Sequence, residues 1–243
     1  MGATKSGWRG SQLFFRDGTT YETVLPLAPQ VVFDDFRGAV YDSNQWLYND
    51  AGAATEALSA DVAGVHDVVL TFDATNENQE AGIGWQGNQL PFNPTKGLVL
   101  EARMALVTLP TLVTEAHLGF LGEAFVDDKQ IVSAEDYKIY CVFSAVGSGI
   151  ITINCDDNVA GPQHAVATGI TVLAGAYHIY RIDMTDITNI LFYIDGAGVA
   201  TGTTFTLDSL VADTLQPVAF MTKHDGAGLG VMNVDFIKIW QNR

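Results

Sequence analysis

Short runs in which apolar and polar residues alternate recur along most of the chain, as in residues 177–183 (YHIYRID). A period of two is typical of a β-strand with one buried face. Helical periodicity is confined to two short stretches. The pattern therefore predicts an all-β chain folded as an antiparallel β-sandwich. The predicted strands are 65–72, 97–106, 116–121, 137–145, 150–154, 176–184, 190–194, 218–222 and 231–240.

Two of these runs are followed by turn residues that predict hairpins. The first hairpin joins 137–143 to 150–154 through a Gly-Ser-Gly turn, and the second joins 191–194 to 199–201 through Asp195-Gly196. Asp-Gly and Gly-rich turns supply the positive φ that such reversals require. The first hairpin would place Cys141 and Cys155 close to opposite one another. A cross-strand disulfide and a pair of free buried thiols both fit this placement.

The segment SQLFFRDGTTYETVL, residues 11–25, predicts a further hairpin, and Pro26 and Pro29 separate it from the rest of the chain. We therefore expect an N-terminal β-hairpin arm over residues 1–30 and one sandwich domain over residues 31–243. A two-stranded hairpin alone is marginally stable in water, so the arm needs a surface to pack on. That surface is either its own sandwich or a neighbouring subunit. The candidate contact residues are Trp8, Leu13, Phe14, Phe15 and Tyr21.

The charge of the chain restricts its partners. The 243 residues include 12 Lys and Arg against 28 Asp and Glu, which gives a formal net charge of −16. A strongly acidic surface repels phosphate backbones and anionic membranes, so neither nucleic acid nor a membrane is an expected partner. The N-terminus lacks the apolar core of a signal peptide and no apolar run reaches the length of a membrane span. Synthesis in a cytoplasm is the expectation.

No catalytic set or metal-binding motif is apparent. The five histidines are scattered, and Glu77 and Glu80 lie in an Asn- and Gln-rich stretch that predicts a solvated loop. Asp156-Asp157-Asn158 could offer oxygen ligands to calcium, although adjacent acids in a turn are usually solvated. We expect no cofactor and name no metal ligands.

Four segments together resemble one family. Residues 32–36 (VFDDF) with 44–46 (NQW), 192–196 (FYIDG) and 231–240 (VMNVDFIKIW) are similar, in that order, to the opening, central and closing strands of concanavalin A-like lectin/glucanase sandwiches. The resemblance implies a jelly-roll sandwich. Glucanases of this fold carry Glu-x-Asp-x-x-Glu on one strand, with the carboxylates on the same face. This spacing is absent here, so we expect a protein that is not an enzyme.

A second resemblance concerns the arm followed by the proline-containing link and the DDF segment, which looks like structural proteins of tailed-phage virions. It implies a capsid decoration or cement protein on the outer shell of a bacteriophage. Its partners would be the major capsid protein or neighbouring virion subunits. We expect a homo-oligomer, and a trimer would suit a three-fold capsid site. The alternative is a lectin-like carbohydrate-binding module, with Trp85 as the candidate glycan contact.

Overall fold

The computed structural model describes residues 5–9, 12–16, 23–24, 30–37, 41–59, 66–86, 89–111, 114–125, 129–132, 136–159, 163–209 and 215–242, the first three ranges as backbone. These described residues form eighteen β-strands and a short 3-10 helix at Pro94–Lys96. The strands are β1 Lys5–Arg9, β2 Gln12–Arg16, β3 Thr23–Val24, β4 Gln30–Asp34, β5 Trp46–Ala51, β6 Thr55–Leu58, β7 Val68–Phe72, β8 Gln79–Trp85, β9 Leu98–Thr108, β10 Thr114–Leu121, β11 Ile139–Val146, β12 Ile150–Asp157, β13 Gln163–Thr171, β14 Tyr177–Met184, β15 Leu191–Ile194, β16 Ala197–Val199, β17 Gln216–Lys223 and β18 Gly230–Gln241.

Two antiparallel sheets form the predicted sandwich. The seven-stranded sheet has the order β13-β12-β11-β10-β17-β8-β5. The other sheet has the order β16-β15-β14-β9-β18-β7-β6, with β4 paired to β18 beside this path. Here it is called the eight-stranded sheet. The all-β jelly-roll prediction is confirmed.

Alternation along the strands fills the space between the sheets. In β10, Ala116, Leu118 and Phe120 belong to the main core, and the residues between them point to the outer face of the seven-stranded sheet. In β9, Leu100 and Met104 fill the core from the opposite sheet. Burial of a side chain of this size is worth about 1.5–3 kcal/mol, so this two-sided core is what holds the sandwich together.

Both sandwich hairpins are present in the predicted places. β11 and β12 pair antiparallel with Cys141 directly opposite Cys155, and β15 returns into β16 through Asp195 and Gly196. Both cysteines are buried free thiols, which decides between the two alternatives for this pair. Burial raises the pKa of the Cys141 thiol well above its ordinary value.

The arm hairpin is confirmed and gains a strand. β2 pairs with β3, with Phe15 opposite Val24, and β1 pairs with the other edge of β2, with Trp8 opposite Leu13. These three strands form a sheet of their own. Tyr21 and the side chains of Trp8, Leu13, Phe14 and Phe15 lie outside the described part of the molecule.

Candidate functional site

Trp85, the candidate glycan contact, lies at the end of β8 and is half-buried. Its ring meets Trp46 edge-on with the centroids 5.7 Å apart, and it meets Phe92 edge-on at 5.2 Å. It packs against the main core together with these two buried rings. A stacking platform for a sugar needs a free ring face, and these contacts use much of the Trp85 ring. The glycan contact at Trp85 stays a prediction.

The middle of the outer face of the seven-stranded sheet is covered by the chain itself. The described residues 122–125, 129–132 and 136–138, here called the cover segment, place Phe125, Ile131 and Tyr137 on this face. With residues from β10, β11 and β17 they form a second buried apolar cluster. Its strand members are Leu121, Tyr140, Val142, Val218 and Phe220.

Glycine in β8 makes room for this cover. An ideal Cβ on Gly82 would lie 2.6 Å from Cζ of Phe125, and one on Gly84 would lie 3.4 Å from Cβ of the same residue. Any side chain at Gly82 would collide with the ring. The Phe125 ring also lies 5.1 Å from the ring of Phe220. The absence of a side chain at two consecutive outward positions of β8, Gly82 and Gly84, leaves the space that Phe125 fills.

A buried polar network lies beside this cluster on the same face. It consists of Glu115 and His117 in β10, Ser144 in β11 and Asn154 in β12. His117 Nε2 lies 2.9 Å from Glu115 Oε2, and His117 Nδ1 lies 2.8 Å from Ser144 Oγ. Asn154 Nδ2 donates to Ser144 Oγ at 2.9 Å, and Asn154 Oδ1 accepts from the backbone of Ala165.

With Glu115 ionised and His117 neutral, all the hydrogen bonds of this network are satisfied by one arrangement of protons. His117 Nε2 then donates to Glu115, which as a carboxylate only accepts, and Nδ1 accepts from the Ser144 hydroxyl, which itself accepts from Asn154. The order of serine, histidine and carboxylate is that of a nucleophilic triad.

All four residues of this polar network are at most 1% exposed, however. Glu115 Oε2 also accepts from the backbone of Val132, which ties the cover segment to the network. The arrangement therefore stabilises the closed face, because none of its atoms can contact a substrate in this conformation.

Glu80 corrects the sequence interpretation, which placed it in a solvated loop. It lies in β8, is 1% exposed and accepts from Asn49 Nδ2 at 3.2 Å. Thr222 of β17 is paired with Glu80 on one side and Glu115 on the other, so the two carboxylates are two strand spacings, about 10 Å, apart along one row. Glu77 does lie between strands, but its carboxylate accepts from the backbone of Ala53.

Sequence reasoning missed the buried network. His117 lies on the predicted strand 116–121 and Glu115 directly precedes that strand; the two are two residues apart, which places them on one face of β10. Period two normally assigns the polar face of a strand to water. The signal for burial is the presence of Gly82 and Gly84 on the outer face of β8, two strands away from β10 in the sheet, and only the fold shows the order of the strands.

The outer face of the eight-stranded sheet carries a different arrangement. One residue from each of five adjacent strands lies in a row across it, here called the cation–aromatic row. Its members, from β15 to β4, are Tyr193, Arg181, Glu101, Lys238 and Phe33. Trp240 lies beside this row on β18.

Cations and rings alternate within and beside the row. The Arg181 guanidinium carbon lies 5.6 Å from the centroids of both Tyr193 and Trp240, and Lys238 Nζ lies 5.6 Å from that of Trp240. Arg181 also pairs with Asp183 at 2.7 Å. Cation–π contacts of this kind are worth about 0.5–1 kcal/mol where exposed. Phe33 is 55% exposed and the other members are half-buried, so this face presents aromatic and charged groups to a partner.

The described residues contain no group of three or more His, Cys, Asp or Glu side chains placed to hold a metal ion. Asp156 and Asp157 accept from the backbone of Asn158 and Val159, respectively, as turn residues do. Partial burial raises the pKa of Asp156. Among the described helices, none is long and apolar enough to cross a membrane.

Comparison with known proteins identifies the fold. No family model and no curated protein matches the chain. An endo-1,3-β-glucanase from Streptomyces sioyaensis is 16% identical with a TM-score of 0.54, and the alignment covers 90% of this chain and 100% of that one. A β-1,3-glucanase from Mycobacterium marinum is 17% identical with a TM-score of 0.54, over 88% and 100% of the two chains.

An endo-acting O-glycanase structure from members of the human gut microbiota is 14% identical with a TM-score of 0.58, over 87% of this chain and 99% of that one. Matches at such identities over nearly whole chains establish a common architecture and leave function open. The chain therefore has the concanavalin A-like β-sandwich fold of the lectin/glucanase type.

Proposed function

We propose that this protein acts by binding and not by catalysis, as a structural protein that docks on the outer shell of a tailed-phage capsid and stabilises it. The observation that carries the non-enzymatic part is the covered middle of the outer face of the seven-stranded sheet. Glu80 and Glu115 on this face are buried, and the cover segment ties itself to Glu115 through Val132. Glycosidase chemistry needs a carboxylic acid and a carboxylate that both reach the substrate.

The choice of a virion rests on the resemblance of the arm and the DDF segment to tailed-phage structural proteins. Two features support it. The arm strands β1–β3 form a sheet separate from both sheets of the sandwich, as expected of an element that contacts another subunit. The net charge of −16 suits a surface that faces solvent on a large particle and repels nucleic acid.

Purified particles of the phage that encodes this chain test the proposal. Quantitative mass spectrometry of gradient-purified virions should find the chain in a fixed ratio to the major capsid protein. Particles from a deletion strain should release their genome at a lower temperature than intact particles, and added recombinant protein should restore the difference. Absence of the chain from particles, or deletion particles of unchanged stability, would overturn the proposal.

Glycan binding is the second candidate, and the cation–aromatic row favours it. Half-buried and exposed rings beside cations on a sheet face are groups that can stack on sugar rings and donate to their hydroxyls. The neighbours named as glucanases and O-glycanases act on glycans, so this fold accommodates such ligands.

Glycan arrays followed by calorimetry test this candidate. Trp240→Ala and Tyr193→Ala should each weaken binding at least tenfold, whereas Leu173→Ala, a matched change at an exposed apolar residue elsewhere, should leave it unchanged. Loss of binding in Trp85→Ala alone would move the site to the sequence-predicted residue. Absence of binding to any glycan would exclude this candidate.

A further inference from the structure

The edge strand β4 has two of the most exposed large apolar side chains in the described sandwich. Val31 is 49% exposed and Phe33 is 55% exposed, and both lie on the outer face of the eight-stranded sheet. Among the described strands, only β18 pairs with β4. Within the described part of the chain its other edge has no strand partner, and its main-chain donors and acceptors lie next to exposed apolar side chains, which is the combination that favours pairing with another chain.

The remaining edges of the two sandwich sheets are protected. β5 has the exposed Asp50 and β6 has Glu56, while β16 is only three residues long. β13 is broken by two register shifts in its pairing with β12, and Gly169 adopts a φ of +77°. Charges, short length and bulges are the devices that keep edges from pairing. β4 uses none of them between Gln30 and Phe33.

The sequence of β4 is self-complementary in an antiparallel pair. With Val32 opposite its own copy, Val31 of one chain faces Phe33 of the other on the outer side, and Gln30 faces Asp34 on the inner side. Residues directly opposite in such a pair point to the same face, so the two apolar pairs meet. Asp34 already accepts from the indole nitrogen of Trp46 at 2.7 Å, and Gln30 accepts from Gln241. The register therefore brings no unpaired charge to the contact.

We propose that two copies of this chain associate through β4, which joins their eight-stranded sheets edge to edge about a two-fold axis. Such a contact is isologous and closes as a dimer, whereas a trimer, which would suit a three-fold capsid site, would need a heterologous contact. The proposal does not depend on the partner of the protein, because a dimer with doubled surfaces would strengthen docking on a shell or on a glycan alike.

Sedimentation velocity of the full chain over a concentration series tests this contact. The wild type should show a dimer whose fraction rises with concentration. Phe33→Lys and Val31→Lys should each sediment as monomers, because two-fold symmetry places the new charges in the contact twice. The matched control Leu173→Lys adds the same charge at a residue that is 74% exposed in a turn, and it should dimerise like the wild type.

A cysteine experiment tests the register. Val31→Cys and Phe33→Cys proteins should form a disulfide-linked dimer when mixed under mild oxidation, because these two positions face each other. Either variant alone should cross-link poorly, since its own copies are offset by two residues. A wild type that stays monomeric at every concentration, a dimer that survives Phe33→Lys, or equal cross-linking in the single-variant samples would overturn the proposal.

Discussion

Replacing Phe125 tests whether the cover segment is an integral part of the sandwich. The side chain is 2% exposed, lies 5.1 Å from the ring of Phe220 and fills the space above Gly82 and Gly84. Truncation of a buried Phe to Ala costs about 3–5 kcal/mol. The ring belongs to the smaller outer cluster, where the cover segment can settle into part of the space, so we expect about 3 kcal/mol.

Urea denaturation followed by tryptophan fluorescence measures this loss as a shift of the midpoint at constant m. Leu173→Ala, at an exposed turn residue, should stay within about 0.5 kcal/mol of the wild type. Hydrogen exchange adds a local readout, because the Val132 amide that donates to Glu115 should lose protection in Phe125→Ala. A loss below about 1 kcal/mol with unchanged protection would refute the packing argument and leave the seven-stranded face open to ligands.

Three further predictions concern buried polar groups. Ser144→Ala leaves His117 Nδ1 and Asn154 Nδ2 without this partner and should cost about 2 kcal/mol in urea denaturation, whereas Ser43→Ala at an exposed position should cost almost nothing. Burial and, to a smaller extent, the charge of Asp50 raise the pKa of Glu56, so the folded state binds more protons than the unfolded state between the ordinary glutamate pKa and the raised one. The free energy of unfolding should therefore fall as pH rises through this window. Glu56→Gln should flatten that fall, and a pH dependence identical to that of the wild type would contradict the assignment. Lys223 Nζ donates to the carbonyls of Asp73, Thr75 and Gly228 and so ties two loops together. Lys223→Met should therefore increase hydrogen exchange in residues 73–78 and 224–229, whereas the control Lys96→Met at an exposed site should not. Equal exchange of these residues in the two variants would show that Lys223 does not hold the loops.

The sandwich was predictable because alternation reports burial directly. The opposition of Cys141 and Cys155 was predictable as well, because a tight turn fixes the register of the strands it joins. β1 was not predicted. Residues 5–9 (KSGWR) carry a single large apolar side chain, so no alternation marks them, and their pairing with β2 depends on the fold of the arm.

The closed face could not be read from the sequence for a different reason. The cover segment has no periodicity, and its burial depends on Gly82 and Gly84, which precede it by about forty residues in the chain. Glu80 illustrates the consequence: Asn and Gln neighbours made it look like a loop residue, but it occupies a buried outward position on β8. When a second layer packs on the outer face of a sheet, polar residues on that face become buried. The alternation of apolar and polar residues along a strand does not show whether such a layer is present.

The two outer faces therefore differ in what they can do. The cover segment lies over the middle of one, so a partner would have to displace packed aromatic side chains and a buried carboxylate contact to reach the strands beneath it. The other presents the cation–aromatic row, which ends at Phe33 on β4, a strand that pairs only with β18 among the strands the structure describes. Phe33 thus belongs both to the row and to the proposed dimer contact. Trp240 on β18 and Tyr193 on β15 lie outside that contact. If Phe33→Lys abolishes dimerisation while Trp240→Ala leaves it intact, self-association and partner binding are separable on one face. The dimer would then place two rows end to end in a continuous sheet, offset by two residues where the two β4 strands meet.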